Sequence, residues 1–213
     1  MEAFLKIVNG WYLPDRDTFF TPDVLLEEGF QVKRLKEFLR FIPGRDNAWD
    51  VGAHIGTWTS YLAEEFKWVS AWEPNRENFA ALKANLYEKK HYNVSTHNLV
   101  AWNENNKLMD MSLESNTGMS YVLEDRGVIP TARLDSWAPI TLDLIKVDVE
   151  GAELPVLMGA EQLLNSLKPA IILENKAKNA IARGFDPNGA TDFLKAKGYE
   201  LAYKIKDDEL WTC

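Results

Sequence analysis

The spacing of apolar positions divides the chain near residue 45. From Ala48 onward, short β-rich runs alternate with stretches of helical period, a pattern that predicts βαβ units around a parallel sheet. Residues 48–51 and 68–72 predict the first two strands, with a helix over 57–66 between them. Pro74 and Asn75 open a second helix, whose Phe79, Leu82 and Leu86 recur at spacings of three and four. Residues 94–99 predict a third strand, and 107–113 place Met109, Met111 and Leu113 on one side, as in a half-exposed strand. Residues 142–147 suit a buried parallel strand, and Leu154, Leu157 and Leu164 mark a helix that stops before Pro169. A strand at 170–173, a short helix at 191–197 closed by Gly198, and a terminal hairpin from 199–204 and 209–212 complete the pattern.

The first 45 residues do not share this alternation. Asn9-Gly10-Trp11 and Pro14-Asp15 read as turns, and residues 24–41 as mainly helical. The expected organisation is one domain over 1–213, with 1–45 as an N-terminal cap and 46–213 as the catalytic α/β core. Such a cap either shapes a substrate pocket or covers a sheet edge.

Composition narrows this picture without changing it. The 213 residues, 46% apolar and 26% charged, are enough for a globular core and exclude a disordered chain. No window reaches the roughly 18 apolar residues of a membrane span. The opening Met1-Glu2-Ala3-Phe4-Leu5-Lys6 lacks the layout of a signal peptide, so a cytoplasmic protein without a membrane partner is expected. Cys213 is the single cysteine, which excludes an intrachain disulfide and a cysteine-rich metal site. The net charge of −8 and the absence of a long basic run argue against nucleic acid as a partner. Lys33, Arg34, Lys36 and Arg40 read as the solvated face of a helix that buries Val32, Leu35, Phe38 and Leu39.

Two segments carry candidate chemistry. Asp50-Val51-Gly52-Ala53-His54-Ile55-Gly56 runs from a strand end through a glycine turn into a helix whose first residue is Thr57. Glycine lets a ligand approach the main chain, and the helix start offers N–H groups to an anion; a tight strand-to-helix turn also needs glycine for structural reasons alone. At the end of the next strand stands Glu73, about 20 positions on, where an acidic side chain can accept hydrogen bonds from both hydroxyls of a ribose. Its alternative role is that of a helix-start carboxylate. The turn lacks the third glycine of a pyrophosphate-binding fingerprint, since Thr57-Trp58-Thr59 follows Gly56, which weakens a nicotinamide-dependent oxidoreductase. The second segment, Leu142 to Glu153, ends an apolar strand in Asp148 and Glu150 around Gly151. Ligands in open α/β sheets bind beyond the carboxyl ends of the strands, so these carboxylates should emerge beside the Asp50 turn. The alternative is that they cap the helix that starts near Glu153.

These segments, with Glu73-Pro74, Arg133-Leu134-Asp135-Ser136, Ile145-Lys146-Val147-Asp148-Val149-Glu150-Gly151-Ala152-Glu153, Leu157-Met158-Gly159-Ala160 and Leu173-Glu174, resemble the FkbM family of methyltransferases in identity and order. His54 departs from the family, which usually has asparagine there. The resemblance implies a Rossmann-like class I methyltransferase fold, with a mostly parallel seven-stranded sheet, helices on both faces and an antiparallel last hairpin strand. It also implies S-adenosyl-L-methionine as methyl donor. By matching positions, Asp50, Gly52, Ala53, His54, Gly56 and Thr57 surround the methionine part, with Asp148 beside them; Glu73 holds the ribose, and Val100, Ala101 and Trp102 meet the adenine. Trp102 is either a stacking platform or core.

Methyl transfer to a hydroxyl requires a held nucleophile and a proton acceptor. Asp148, Glu150 and Glu174 are the expected catalytic residues, with His54 as a further base. The acceptor implied by the family is a hydroxyl of a sugar, glycan or other small molecule. No metal is assigned, although Asp148, Glu150, Glu153 and Glu174 are hard-cation ligand types. His91 and His97 have no ligand-spaced partner and read as surface or loop residues. A nicotinamide-dependent oxidoreductase and a non-catalytic nucleotide-binding domain are the alternatives.

Overall fold

The computed structural model describes residues 4–123 and 127–213. Met1, Glu2 and Ala3 of the opening segment, and 124–126 of the irregular 103–127 stretch, lie outside the described residues. In chain order, β1 (Leu5–Val8) and β2 (Trp11–Pro14) precede α1 (Val32–Leu39), β3 (Asn47–Val51), α2 (Thr57–Glu65), β4 (Trp68–Trp72), α3 (Arg76–Glu88) and β5 (Val94–His97). Four short strands follow: β6 (Val100–Ala101), β7 (Leu108–Met111), β8 (Val122–Leu123) and β9 (Ile129–Ala132). Then come β10 (Leu144–Val147), α4 (Glu153–Met158), α5 (Glu161–Ser166), β11 (Ala170–Glu174), α6 (Ala177–Ala182), α7 (Gly189–Ala196), β12 (Glu200–Ile205) and β13 (Asp208–Thr212).

The main sheet has seven strands in the order β12-β13-β11-β10-β3-β4-β5. It is mixed: β3, β4, β5, β10 and β11 pair in parallel, while β13 runs antiparallel to both β11 and β12. Side chains alternate across it. Ala48, Val69, Leu144, Ile172 and Leu210 pack on one face against Leu35 and Phe38 of α1 and Trp58 and Leu62 of α2. Trp49, Val51, Ile145, Val147, Ile171, Leu173 and Trp211 pack on the other, against Val156 and Leu157 of α4, Leu163 and Leu164 of α5 and Leu194 of α7. Each such fully buried aliphatic side chain contributes about 1.5–3 kcal/mol relative to exposure. Asn75 caps α3, its side chain accepting from Glu77 N at 3.0 Å and Asn78 N at 3.2 Å, an interaction typically worth about 1 kcal/mol.

Two expectations are corrected. Residues 24–31 are turns, and only Val32–Leu39 is helical. The carbonyls of Leu26 and Glu27 face the Trp11 indole, which donates to them at 3.2 and 3.1 Å, and Gly29 and Gln31 adopt φ of 100° and 58°, so no helix can run through. The single helix expected before Pro169 is two. Gly159 O accepts from Asp135 N at 3.0 Å, and Asp135 Oδ1 receives Leu163 N at 3.1 Å at the start of the second helix. The strand expected within 107–113 is β7, which lies outside the main sheet: it pairs with β8 and β9, and β9 with β6, in a separate four-stranded sheet. The main sheet is seven-stranded and mostly parallel with an antiparallel strand in the last hairpin, as the resemblance implies, and is accompanied by that sheet and by the β1–β2 hairpin. Among the described residues no helix is long and apolar enough to cross a membrane.

The basic residues of α1 are largely matched by acids. Arg34 pairs with Asp208, Lys33 and Lys36 stand near Glu28, and Arg40 pairs with Glu37 at 2.9 Å.

Candidate active site

Strand order reverses between β3 and β10, and a cavity of about 330 Å³ opens where the two strands deliver their carboxyl ends. Gly52, Ala53, His54 and Thr57 of the glycine turn line it, as do Glu73 and the Val100, Ala101, Trp102 segment. Asp148, Glu150 and Glu174 line it from β10 and β11, and Phe19, Phe20 and Phe30 bring the N-terminal segment to it. Asp50 and Gly56 do not line it.

Asp50 instead stands behind the wall. It is fully buried, with Oδ2 accepting from Thr59 Oγ1 at 2.6 Å and Oδ1 3.0 Å from Lys146 Nζ. The register of β3 on β10 sets Lys146 directly opposite Asp50, on the same sheet face. Lys146 also donates to Gly52 O at 2.6 Å and lies 3.8 Å from Asp148 Oδ2. Burial works against its charge, but Asp50 and Asp148 more than reverse the effect and raise its pKa. This lysine ties the glycine turn to the β10 end, and sequence reasoning missed it. The available signal was a lone lysine in an otherwise apolar central strand, which needs a buried counter-charge.

The glycines of the turn answer to packing first. Gly52 has φ 80°, and a Cβ there would lie 1.8 Å from Asp148 O; at Gly56, φ 87°, a Cβ would meet Leu82 at 2.5 Å. The amides of the turn itself are bonded within the protein: Gly52 N and Ala53 N donate to Trp72 O at 3.0 Å each, and His54 N to Glu73 Oε2 at 2.8 Å. Closing the turn onto the end of β4 satisfies these groups internally.

Glu73 takes the helix-start role read for it and also faces the cavity. Its Oε1 accepts from Asn75 N at 2.8 Å, bracing the start of α3, while the same carboxylate bonds the glycine turn and faces the cavity. Burial raises its pKa to about 7 against the lowering effect of those two amides. Each oxygen holds one amide, which leaves lone pairs for two hydroxyls. Val100 and Ala101 form a strand paired with β9, and Trp102, 5% exposed, packs with Met109, Ile129 and Ala152 while edging the cavity.

At the β10 and β11 ends, Asp148, Glu150 and Glu174 each bring one carboxylate oxygen within 4.8 Å of the others. Lys176 sits among them, 2.8 Å from Glu174 and 3.4 Å from Glu150, and Asn179 Nδ2 donates to Glu150 at 2.6 Å. A divalent cation would have to displace that ammonium. Burial, together with Asp148 and Glu150, holds the Glu174 carboxyl far above the usual range, and burial with Asp148 raises Glu150. Glu174 Oε2 has no hydrogen-bond partner among the described residues. Neither Asp148 nor Glu150 caps α4, whose start carries no side-chain cap; Glu153 Oε1 instead accepts from Gly151 N at 3.0 Å and Val149 N at 3.4 Å in the turn that leads into the helix. Arg133 and Asp135 bond each other at 2.8 Å and brace the break between α4 and α5, outside the cavity. His97 is not a simple surface residue: its ring lies between Trp72 and Trp137, at 4.8 and 4.6 Å.

Several solved structures share the fold. One is a methyltransferase FkbM from Methylobacillus flagellatus KT, 18% identical with a TM-score of 0.54, a match covering 79% of this chain and 44% of that one. A Streptococcus mutans protein, solved in complex with SAH and assigned to the methyltransferases provisionally, gives 0.55 at 11% identity over 84% of this chain and 94% of that one. An rRNA methylase from Streptococcus thermophilus gives 0.50 at 13% identity over 84% and 93%. A search of curated proteins finds no significant sequence match. Residues 50–201, from the buried Asp50 through the cavity strands to the last hairpin, match the methyltransferase FkbM domain, and the chain belongs to that family.

Proposed function

We propose that this protein transfers the methyl group of S-adenosyl-L-methionine to a hydroxyl of a sugar, glycan or other small acceptor, acting as one domain in which residues 1–45 cap the catalytic core. The observation that carries the reading is that Glu73, the glycine turn and the Asp148 cluster open into one cavity at the strand switch. The residues suit the donor. Glu73 accepts the ribose hydroxyls with the lone pairs its amide bonds leave free, Gly52, Ala53 and Thr57 border the methionine part, and the Val100 to Trp102 wall covers the adenine. The donor supplies an electrophilic sulfonium methyl. Asp148 orients the acceptor hydroxyl, and Glu150 and Glu174 hold neighbouring hydroxyls; Glu174, with its raised pKa, is a donor rather than a base at neutral pH.

The protein is read as cytoplasmic, with no membrane or nucleic-acid partner. Its pI near 5.0 and net charge of −8 set it against a polyanionic acceptor. The missing third glycine and the glycine-turn amides already bonded inside the protein disfavour a pyrophosphate cofactor.

Calorimetric titration with S-adenosyl-L-methionine, S-adenosylhomocysteine and NAD tests the cofactor assignment. The first two should bind with a Kd on the order of micromolar, and Glu73→Ala should weaken both by about tenfold or more. Binding of NAD alone would overturn the reading.

A further inference from the structure

Three segments far apart in the chain meet at the His54 ring. His54 Nε2 lies 2.8 Å from Thr117 Oγ1, that hydroxyl donates to Asp17 Oδ2 at 2.7 Å, and Thr117 N donates to the same oxygen at 2.9 Å. Asp17 Oδ1 accepts from Phe19 N and Phe20 N at 3.0 and 2.9 Å. The Phe20 ring stacks on the imidazole with centroids 5.3 Å apart. Asp17 and Thr117 are both buried, and neither belongs to the glycine turn or the carboxylate cluster.

Donor chemistry fixes the direction of each bond. Burial works against charge on Asp17, but the bonds from Phe20 and Thr117 outweigh it and hold the carboxyl below its usual range, so it is ionised near neutral pH. An ionised carboxylate only accepts, so the Thr117 hydroxyl proton points at Asp17. That oxygen can then only accept from the ring, and Nε2 carries the ring proton. Burial lowers the His54 pKa to about 4, opposed by Asp17 and Asp148 and assisted by Lys146. Glu73 is bonded to the backbone N–H of the same residue. The ring is therefore neutral near pH 7, and its Nδ1 carries a lone pair. Nδ1 has no hydrogen-bond partner among the described residues, and the ring lines the cavity.

We propose that Asp17 and Thr117 are positioning residues that lock His54 in its Nε2-protonated form, so that Nδ1 is the fixed proton acceptor for the hydroxyl that receives the methyl group. The assignment rests on the methyl-transfer reading above. As the oxygen–carbon bond forms and the carbon–sulfur bond breaks, the hydroxyl proton passes to Nδ1. The sulfonium charge disappears as the imidazolium charge appears, so the buried cavity keeps the same net charge throughout. The imidazolium stays bonded through Thr117 to the ionised Asp17, much as a buried aspartate steadies the histidine of a hydrolase triad. The proton then leaves to water.

Imidazole nitrogen–proton correlation spectra of the whole protein test this without an acceptor. In the wild type, His54 should show a protonated Nε2 and an unprotonated Nδ1, with no titration between about pH 5.5 and 8. Thr117→Val, which keeps the side-chain shape, should release the ring into a mixture of tautomers; Asp17→Asn should do the same, and Thr117→Ser should restore the wild-type pattern. A proton on Nδ1 in the wild type, or an unchanged spectrum in Thr117→Val, would overturn the proposal. Adding S-adenosylhomocysteine should shift the His54 signals. If the tautomer pattern holds but that shift is absent, the failure lies with the cofactor reading, and the base role falls with it.

Discussion

Two groups of buried charge stand at the carboxyl ends of neighbouring strands, and they are matched very differently. On the β3–β10 side, Asp50 faces Lys146 at 3.0 Å and Thr59 at 2.6 Å, one carboxylate against one ammonium with a hydroxyl completing the set. On the β10–β11 side, Glu150 and Glu174 share Lys176, Asp148 stands 3.8 Å from Lys146, and an oxygen of Glu174 has no hydrogen-bond partner among the described residues. Asp50 of the first group lies behind the cavity wall, although Lys146 reaches the cavity, whereas all three carboxylates of the second form part of the wall. A balanced buried pair holds structure in place. A surplus of carboxylates raises pKa values and keeps acceptor and donor capacity available to a ligand, which is what a site that orients hydroxyl groups requires.

Removing the lysine from each group should break the symmetry between them. Lys146→Met leaves the buried Asp50 carboxylate group without its counter-charge, which is expected to cost about 3–5 kcal/mol in urea unfolding. It should also loosen the glycine turn, because the bond to Gly52 O is lost. If Asp50→Asn combined with Lys146→Met fails to recover a good part of that loss, the damage comes from packing and the pair is not the cause.

Lys176→Met is the same deletion in the other group, and its cost should be smaller, about 1–2 kcal/mol at neutral pH. Burial and its acidic neighbours already hold the Glu174 carboxyl far above the usual range, so removing the ammonium leaves less uncompensated charge there at neutral pH. The cost should grow as pH rises, since every carboxylate then ionises without its counter-ion. Equal penalties for the two lysine deletions, constant between pH 6 and 9, would erase the distinction drawn here.

Much of this contrast could be read from the sequence, and the unread part has a physical cause. β3, β4, β10 and β11 stand out because buried strands carry their apolar pattern over four or five residues, and the last hairpin, whose β12 is largely exposed, stands out by the turn residues between its strands. The four-stranded side sheet escaped notice because β6 and β8 are two residues long, too short for any period to register. Residues 24–31 lost their helix to a tertiary contact with Trp11, which local propensity cannot encode. In the site, Glu73, Asp148 and Glu150 announced themselves as acids at strand ends. Lys146 did not, because its meaning depends on strand register. Asp17 and Thr117 are separated by 100 positions, and no motif joins them before the chain folds.

The finest probe of the comparison is Glu174→Gln, which keeps the shape of the under-matched group and removes its ionisation. The folded-state pKa of Glu174 is raised above its unfolded value, mainly by burial and then by Asp148 and Glu150. Its contribution to stability is therefore fully present below the ordinary glutamate range and is lost as pH climbs toward the folded value. The variant cannot lose a proton and should not share that decline. Thermal melts near pH 5 should place the two proteins within about 0.5 kcal/mol, whereas near pH 9 the variant should be the more stable by on the order of 1 kcal/mol. A wild type that gains stability over the same interval relative to the variant would mean that Lys176 neutralises Glu174 completely. The second group would then be as balanced as the first, and the reason for assigning it to the acceptor would be gone.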